Sequence, residues 1–360
     1  MHRRDFLAAA AVVGGMGLAG VRPSAAAASG LPPGAQAAAD AHRKDWQWLL
    51  GNWDVRHRRL KERLVGDTHW QEFAGKSATW STLGGLGTID DNLLEFPDGA
   101  YRGLSLRAFD AAAGTWAIWW LDGRQPTRID PPVRGRFDAD GGTFVGADVF
   151  KGRPIMMRFR WHDIHGARPW WEQAFSPDGG ATWEVNWRNW FTRTAARPSP
   201  LPTLADAPRD WDFLAGRWNV RHRRLRQRFA GSTDWDEFGG TFVNWPVLGG
   251  YGNVGDNVME FPGGTVRGVG FRAFDPASRQ WLSWWLDGRS PAEIGVPLRG
   301  AFVDGVGQLV GADVHERKAI KTRVIWSRIT ERSARWEQAG SADDGRTWEV
   351  NWISDFERQA

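Results

Sequence analysis

The chain contains no cysteine and only 2 tyrosines among its 360 residues. The lack of cysteine excludes disulfide bonds, thiolate nucleophiles, iron–sulfur clusters and zinc sites built on cysteine. A charged fraction of 24% beside 42% hydrophobic residues is typical of a globular chain, and it argues against disorder and against a membrane-embedded body. The length suggests about two domains of roughly 150 residues each.

Residues 1–28 have the order of a secretory signal. The pair Arg3-Arg4 precedes an apolar run over residues 8–20, and small residues follow over 25–28. The core Arg-Arg-x-Phe-Leu resembles the twin-arginine export motif. The resemblance implies that the export machinery of that pathway is a partner, so we expect a periplasmic or secreted protein. Nucleic acid is then not an expected partner, and no integral membrane segment is expected after removal of the signal.

The remainder of the chain is a tandem duplication of one domain. Residues 45–191 recur at 210–356 with a constant offset of 165, without a gap and with about half of the positions identical. A period of this length indicates a duplicated domain and not a solenoid or a propeller blade. The predicted organisation is a signal (1–28), a linker (29–43), repeat one (44–194), a Pro-rich linker (195–209) and repeat two (210–358).

Each repeat contains about ten short strand-like runs separated by turn-forming residues, and no long helical pattern interrupts them. This pattern predicts an all-β fold in which each repeat is an antiparallel up-and-down barrel of about ten strands. Each repeat opens with a short helical turn followed by Gly-x-Trp, at Gly51 and Trp53 and again at Gly216 and Trp218.

The Gly-x-Trp opening resembles that of lipocalin-like (calycin) barrels. The resemblance implies that Trp53 and Trp218 close the barrel floors, each beneath an arginine from near the last strand, for which Arg188 or Arg193, and Arg358, are the candidates. The whole unit also resembles an uncharacterised bacterial family of lipocalin-like domains. Its landmarks here are segments 83–85, 109–110, 183–187 and 213–218. That resemblance implies a fold and no established activity.

Of the 25 tryptophans, 11 recur as pairs in the two repeats. Most of them are expected to fill the cores, because one indole buries up to about 250 Å². A pocket wall is the alternative role, and Trp80 and Trp120 with their partners Trp245 and Trp285 are the candidates for it.

Strand alternation places further candidates inside the barrels. If Trp53 points inward, so do His57 and Arg59. An inward Arg107 must be paired or must hold an anion. His57 is open to three roles, as a hydrogen-bonded structural residue, a ligand-binding or haem-coordinating group, or a general base. The predicted ligand-binding residues are His57, Arg59, Trp80, Arg107, Trp120, Asp122 and Arg124 in repeat one, and His222, Arg224, Trp245, Arg272, Trp285, Asp287 and Arg289 in repeat two.

No catalytic constellation, metal-spaced cluster or phosphate loop is apparent. The leading hypothesis is an exported tandem-barrel protein that binds a small apolar or aromatic ligand with a polar or anionic end. No cofactor is expected, although haem stays an alternative through His57. Two other classes stay open, a calycin-fold enzyme (a hydrolase or an isomerase) and a ligand-free structural module of the cell envelope.

Overall fold

The computed structural model describes residues 33–360, which form two closed barrels of antiparallel strands. Each barrel has ten strands, and this confirms the predicted fold class. The predicted signal, residues 1–28, lies outside the described residues. Within the predicted first linker, Pro33–His42 forms a helix (α1). None of the helices in the described part is long and apolar enough to cross a membrane.

Barrel one is a meander in which consecutive strands pair and the last strand pairs with the first. Its strands are β1 (Gly51–Leu60), β2 (Trp70–Thr82), β3 (Gly87–Phe96), β4 (Gly99–Asp110), β5 (Thr115–Asp122), β6 (Val133–Phe137), β7 (Gly141–Phe150), β8 (Arg153–His162), β9 (Trp170–Ser176) and β10 (Glu184–Ala195). Short 3-10 helices at Gln47–Leu49 and Leu83–Gly85 precede β1 and β3.

Barrel two repeats this topology, and its last strand also pairs with its first. Its strands are β11 (Gly216–Leu225), β12 (Trp235–Val247), β13 (Gly252–Phe261), β14 (Gly264–Asp275), β15 (Gln280–Asp287), β16 (Leu298–Val303), β17 (Val306–His315), β18 (Lys318–Ser327), β19 (Ser333–Ser341) and β20 (Glu349–Arg358). Its 3-10 helices are Asp212–Leu214 and Leu248–Gly250.

The floor of each barrel has an arginine over a tryptophan. The guanidinium carbon of Arg193 lies 4.0 Å from the ring centre of Trp53, and that of Arg358 lies 4.2 Å from Trp218. Arg193 also donates hydrogen bonds to the carbonyls of Trp48 and Leu50, so it ties β10 to the segment before β1. Of the two candidates in repeat one, Arg193 therefore takes this place.

The other candidate, Arg188, lies 3.6 Å from Glu172.

Above the floor, one cluster of buried aromatic and aliphatic side chains fills the lumen of each barrel. In barrel one its largest members are Trp46, Trp53, Phe109, Trp116, Phe144, Trp161 and Phe191.

The two barrels pack together through the outer faces of β2–β5 and β12–β15. A third apolar cluster spans this interface and contains Trp119 and Trp284, each 4% exposed. Within β5, therefore, Trp116 and Ile118 belong to the lumen while Trp119 belongs to the interface. Both faces of these strands are buried, in one case by the barrel's own core and in the other by the second barrel.

The interface is isologous, because it joins equivalent positions of the two repeats. Trp80 stacks on its own counterpart Trp245, with ring centres 5.2 Å apart. Asp91 accepts a hydrogen bond from the backbone N–H of Leu248 at 2.9 Å. Asp256 accepts the reciprocal bond from Leu83 at 3.2 Å. The chain thus holds its two barrels as a symmetric dimer would hold two subunits.

The stacked pair predicts a measurable coupling across this interface. In a double-mutant cycle of Trp80→Ala and Trp245→Ala, the free energies of unfolding should be non-additive by about 0.5–1.5 kcal/mol, because each ring loses its partner once. Urea denaturation measures the free energy of unfolding of the wild type, the two single variants and the double variant. Trp80→Ala combined with Trp285→Ala is the control and should be additive within about 0.5 kcal/mol. Equal coupling in both cycles would contradict direct stacking between the barrels.

Candidate functional site

The end of each lumen opposite the floor, called the mouth here, carries two arginines among aromatic rings. In barrel one the guanidinium carbon of Arg59 lies 5.1 Å from the ring centre of Phe96 and 5.0 Å from that of Trp187. The guanidinium carbon of Arg63, just beyond β1, lies 4.5 Å from the ring of Phe150. These contacts place the positive charges over apolar surfaces where little water screens them.

Barrel two repeats the arrangement with Arg224 and Arg228. The guanidinium carbon of Arg224 lies 5.3 Å from the ring centre of Trp352 and 5.6 Å from that of Phe261. The guanidinium carbon of Arg228 lies 5.8 Å from the ring centre of Phe229, its neighbour in sequence, whereas the counterpart of Phe150 is His315. Because the pair occurs at equivalent positions of both barrels, it is a property of the repeat.

These four arginines are half-buried, and none of them forms an ion pair with a described carboxylate. Within residues 33–360, no carboxylate oxygen lies within 4.0 Å of any of the four guanidinium groups. The Nε atoms of Arg59, Arg63 and Arg228 are buried without a hydrogen-bond acceptor in that same part of the chain. Burial lowers the pKa of Arg63 to about 10 and also lowers the pKa of Arg59, Arg224 and Arg228. All four stay charged at neutral pH, so each mouth presents cationic donors that an anion would satisfy.

A third arginine at each mouth is paired. Arg124 bonds to Asp122 at 2.6 Å and lies with its guanidinium carbon 3.6 Å from the ring centre of Tyr101. Arg289 bonds to Asp287 at 2.6 Å. The hydrogen bonds that Arg124 donates to Asp122 raise the pKa of Arg124. These ion pairs leave Arg59 and Arg63, with their counterparts, as the free donors.

Trp120 and Trp285 lie on the inner face near the same end. A Cβ atom added to Gly103 would stand 2.1 Å from the ring of Trp120, and one added to Gly268 would stand 2.1 Å from the ring of Trp285. A glycine is therefore required beneath each indole. Trp285 is 42% exposed, so its ring is accessible to a ligand at the mouth of barrel two.

His57 and His222 lie deeper and are packed on all sides. His57 stacks on Phe73 with ring centres 4.7 Å apart, and its Nδ1 lies 2.6 Å from Oδ1 of Asn189. Nδ1 of His222 lies 2.8 Å from Oγ of Ser354. Burial lowers the pKa of both histidines to about 4, so both are neutral at neutral pH.

The second nitrogen of His57 does not face an open space. A Cβ atom added to Gly75 of β2 would stand 2.5 Å from Nε2, so this atom lies against the neighbouring strand. An iron coordinated at Nε2 would need the room that this backbone occupies. The arrangement fits a structural histidine better than a haem ligand or a general base.

The inward arginines Arg107 and Arg272 lie between the histidines and the floor. Arg107 bonds to Asp90 at 2.6 Å and to Oγ1 of Thr88 at 3.3 Å, and its guanidinium carbon lies 4.5 Å from the ring centre of Trp46. Arg272 bonds to Oδ1 of Asn253 at 2.7 Å. The two barrels therefore differ at this level in whether a carboxylate is present.

Two of the predicted residues lie away from both lumens. Trp80 and Trp245 stack on each other between the barrels, where neither can line a barrel pocket. The structure also brings to the mouths residues that the sequence pattern did not indicate. These are Arg63, Phe96, Tyr101, Phe150 and Trp187 in barrel one, and Arg228, Phe229, Phe261 and Trp352 in barrel two. The recurrence of Arg63 as Arg228, just beyond a strand end, is a signal that pointed to one such pair.

No group of three or more His, Asp or Glu side chains in the described part is arranged to hold a metal ion. The mouths present arginines, aromatic rings and the paired carboxylates of Asp122 and Asp287. Arginines of this kind can bind and orient an anion.

No protein-family model and no curated protein matches the chain. Among solved structures, an S-type phycobiliprotein lyase from Guillardia theta aligns over 42% of this chain and 90% of its own, with 10% identity and a TM-score of 0.30. A protein of unknown function from the DUF3598 family of Nostoc punctiforme aligns over 88% of this chain and 99% of its own, with 13% identity and a TM-score of 0.26. The description of the barrels rests on their strand pairing and not on these alignments.

The buried acids and histidines predict opposing pH effects on stability. Burial raises the pKa of Asp91 and Asp256 to about 6, so their contribution to the free energy of unfolding is present at low pH and is lost as pH rises through 6. The histidines, with pKa values lowered to about 4, act in the opposite sense. Their contribution is present above pH 6.5 and is lost as pH falls towards 4.

Asp91→Asn with Asp256→Asn should expose the histidine contribution. The amide oxygens keep the bonds to the backbone of Leu83 and Leu248, but they do not titrate. The free energy of unfolding of this variant should fall more steeply than that of the wild type between pH 6.5 and 4, by up to about 3 kcal/mol for each acid replaced. Urea denaturation at several pH values measures this. Parallel pH profiles would show that the two acids titrate normally.

Proposed function

We propose that the protein binds small aromatic or apolar ligands with an anionic end at the mouths of its two barrels. One observation carries the proposal, which is that each mouth holds two arginines packed on aromatic rings with no carboxylate within 4.0 Å in the described part of the chain. A half-buried cation without a paired carboxylate is unfavourable, and an anionic group from a ligand would relieve this.

The aromatic surroundings define the other end of the ligand. In barrel one the rings of Phe96 and Trp187 are 5.9 Å apart and nearly perpendicular, so they form a corner rather than a flat wall. A planar or short apolar group would lie in this corner while its carboxylate, sulfonate or phosphate met Arg59 and Arg63. Since the aromatic cluster fills the lumen above the floor, the ligand is expected to sit near the mouth.

Removing the mouth arginines should abolish this binding. The probe is an anilinonaphthalene sulfonate dye, which combines two aromatic rings with one anionic group, and its neutral phenylnaphthylamine analogue is the comparison. The charge-removing variant replaces four arginines by methionine, at Arg59, Arg63, Arg224 and Arg228. We expect its Kd for the sulfonate to rise at least about tenfold, because each charge-assisted hydrogen bond contributes about 1.5–3 kcal/mol. Titration calorimetry and tryptophan fluorescence measure the change.

The chain offers a matched control on the opposite face of the same strands. It replaces the outward arginines by methionine, at Arg56, Arg58, Arg221 and Arg223. This variant also loses four positive charges, and it should keep the wild-type Kd within about twofold, since exposed charges act weakly at physiological salt. An equal loss of affinity for the sulfonate in the two variants would mean that net charge, and not the position of the mouth arginines, determines binding. A wild type that binds neither dye would overturn the proposal.

A ligand-free structural module is the second candidate function. The packed lumens favour it, because rings such as Trp46 and Trp116 occupy the volume that a fully enclosed ligand would need. The dye experiment separates the two candidates, since a structural module is not expected to bind an anionic dye through the mouth arginines.

We further propose that the protein is exported by the twin-arginine pathway and acts in the periplasm or outside the cell. The proposal rests on the sequence of residues 1–28 alone. Replacing Arg3-Arg4 by Lys-Lys keeps the charge of the segment but alters the paired motif. Cell fractionation of a bacterium with an intact pathway should then find the protein inside the cell, uncleaved. Unchanged export of the Lys-Lys variant would contradict this route.

A further inference from the structure

Each lumen contains a buried arginine at the same position of the repeat. In barrel one a carboxylate neutralises this arginine, and in barrel two none does. Arg272 is 7% exposed, and its guanidinium carbon lies 4.3 Å from the ring centre of Trp211. Its hydrogen bond to a side chain is to the neutral Asn253. Within the described residues, no carboxylate oxygen lies within 4.0 Å of it.

Barrel one supplies the reference for this position. Arg107 lies over Trp46 at 4.5 Å, much as Arg272 lies over Trp211, and it bonds to the carboxylate of Asp90 at 2.6 Å. The counterpart of Asp90 in barrel two is Gly255. A Cβ atom there would stand 2.2 Å from the ring of Phe242, so no side chain fits at that position.

Two further differences leave polar atoms and room around Arg272. Nδ2 of Asn253 is buried without a hydrogen-bond acceptor in the described part, and Asn253 itself is 3% exposed. Gly270 replaces Ser105 of barrel one. A Cβ atom at Gly270 would lie 3.9 Å from Nη2 of Arg272 and 3.8 Å from Cε3 of Trp285, which are ordinary van der Waals distances.

The ring of Trp211 does not compensate this charge. A cation–π contact contributes about 0.5–2 kcal/mol, whereas burying an unpaired ion costs several kcal/mol. Burial lowers the pKa of Arg272 to about 9, and this shift has no charged neighbour among its causes. The guanidinium remains protonated at neutral pH and still requires a negative partner.

We propose that the lumen of barrel two binds a small monovalent anion of halide size, such as chloride, between Arg272 and Asn253, and that barrel one has no such site because Asp90 takes its place. The anion would receive hydrogen bonds from the guanidinium and from Nδ2 of Asn253. The positive edge of the Trp285 ring would face the adjoining space at Gly270. This site is separate from the mouth arginines, and it makes the two barrels chemically unequal.

Chloride should therefore stabilise the folded protein by mass action. At constant ionic strength, with sodium gluconate replaced by sodium chloride, the Tm of the wild type should rise by roughly 2–4 °C for each tenfold increase of chloride above its Kd. Bromide should act similarly. A Tm that does not respond to either halide would overturn the proposal.

A variant that copies barrel one into barrel two is the matched test. Phe242→Ser with Gly255→Asp introduces the residues that barrel one has at Ser77 and Asp90. The new carboxylate should take the place of the anion and abolish the chloride response of the Tm, whatever the stability of the variant itself. The variant with the four mouth arginines replaced should keep a chloride response of the Tm, although a weaker one, because it leaves Arg272 intact but removes neighbouring positive charges. Loss of the response there, with retention in the barrel-one copy, would refute a site at Arg272.

A direct measurement keeps the proposal testable if the double variant does not fold. A crystal of the wild type grown or soaked in bromide should show an anomalous peak within about 3.5 Å of the Arg272 guanidinium and none beside Arg107. An unoccupied Arg272 in such a crystal, or equal peaks at both arginines, would rule out the proposed difference between the barrels.

Discussion

Closure of each sheet by the pairing of its first and last strands is the constraint on which the rest of the molecule depends. Val55 of β1 pairs with Phe191 of β10, and Val220 pairs with Phe356 in barrel two. A closed barrel has no free edge, so its backbone groups are satisfied within the barrel. What distinguishes one part of the surface from another is then only the side chains, which point either into the lumen or away from it. The tryptophan excess follows from this, because these barrels bury parts of both faces.

The isologous interface explains why large apolar residues persist on the outside of β2–β5 and β12–β15. Each barrel alone would expose Trp119, Leu104 and Leu106, or their counterparts, as a contiguous apolar patch. A patch of that kind is unusual on a monomer. The duplicated chain covers it with its own second copy. The reciprocal bonds of Asp91 and Asp256 fix the orientation in the same way that complementary polar groups orient a dimer.

Much of the fold could be predicted from the sequence, because strand alternation and turn residues are local signals. The burial pattern of β1 follows the predicted alternation, with Trp53, Val55 and His57 buried between exposed Asp54 and Arg56. The floor arginines could also be predicted, since the Gly-x-Trp resemblance limited the candidates to a few positions.

The face of Trp80 could not be predicted in this way. β2 has residues buried on both sides, so alternation there does not distinguish the lumen from the interface. The mouth was predicted only in part for a related reason. Arg59 lies on a strand whose register is fixed by Trp53, but Arg63 lies beyond the strand end. Its position depends on a loop whose fold is held by contacts distant in sequence, such as the bond of the Leu64 N–H to Glu184 at 2.8 Å.

The two barrels have kept one scaffold while their internal charges have diverged, and this has a consequence for the mouths. Barrel one holds four inward arginines (Arg59, Arg63, Arg107 and Arg124) against two acids (Asp90 and Asp122). Barrel two holds their four counterparts against one acid, Asp287. By this count two of the four arginines are unpaired in barrel one and three in barrel two, and the buried histidines are neutral.

Charges in a lumen of low dielectric act on one another over longer distances than charges in water. An anion bound at Arg272 would cancel the extra charge and make the two mouths electrostatically similar. An empty Arg272 would instead make the mouth of barrel two the stronger anion site. The occupancy of one buried arginine would therefore set whether the duplicated mouths act as two equal sites or as two sites of different affinity.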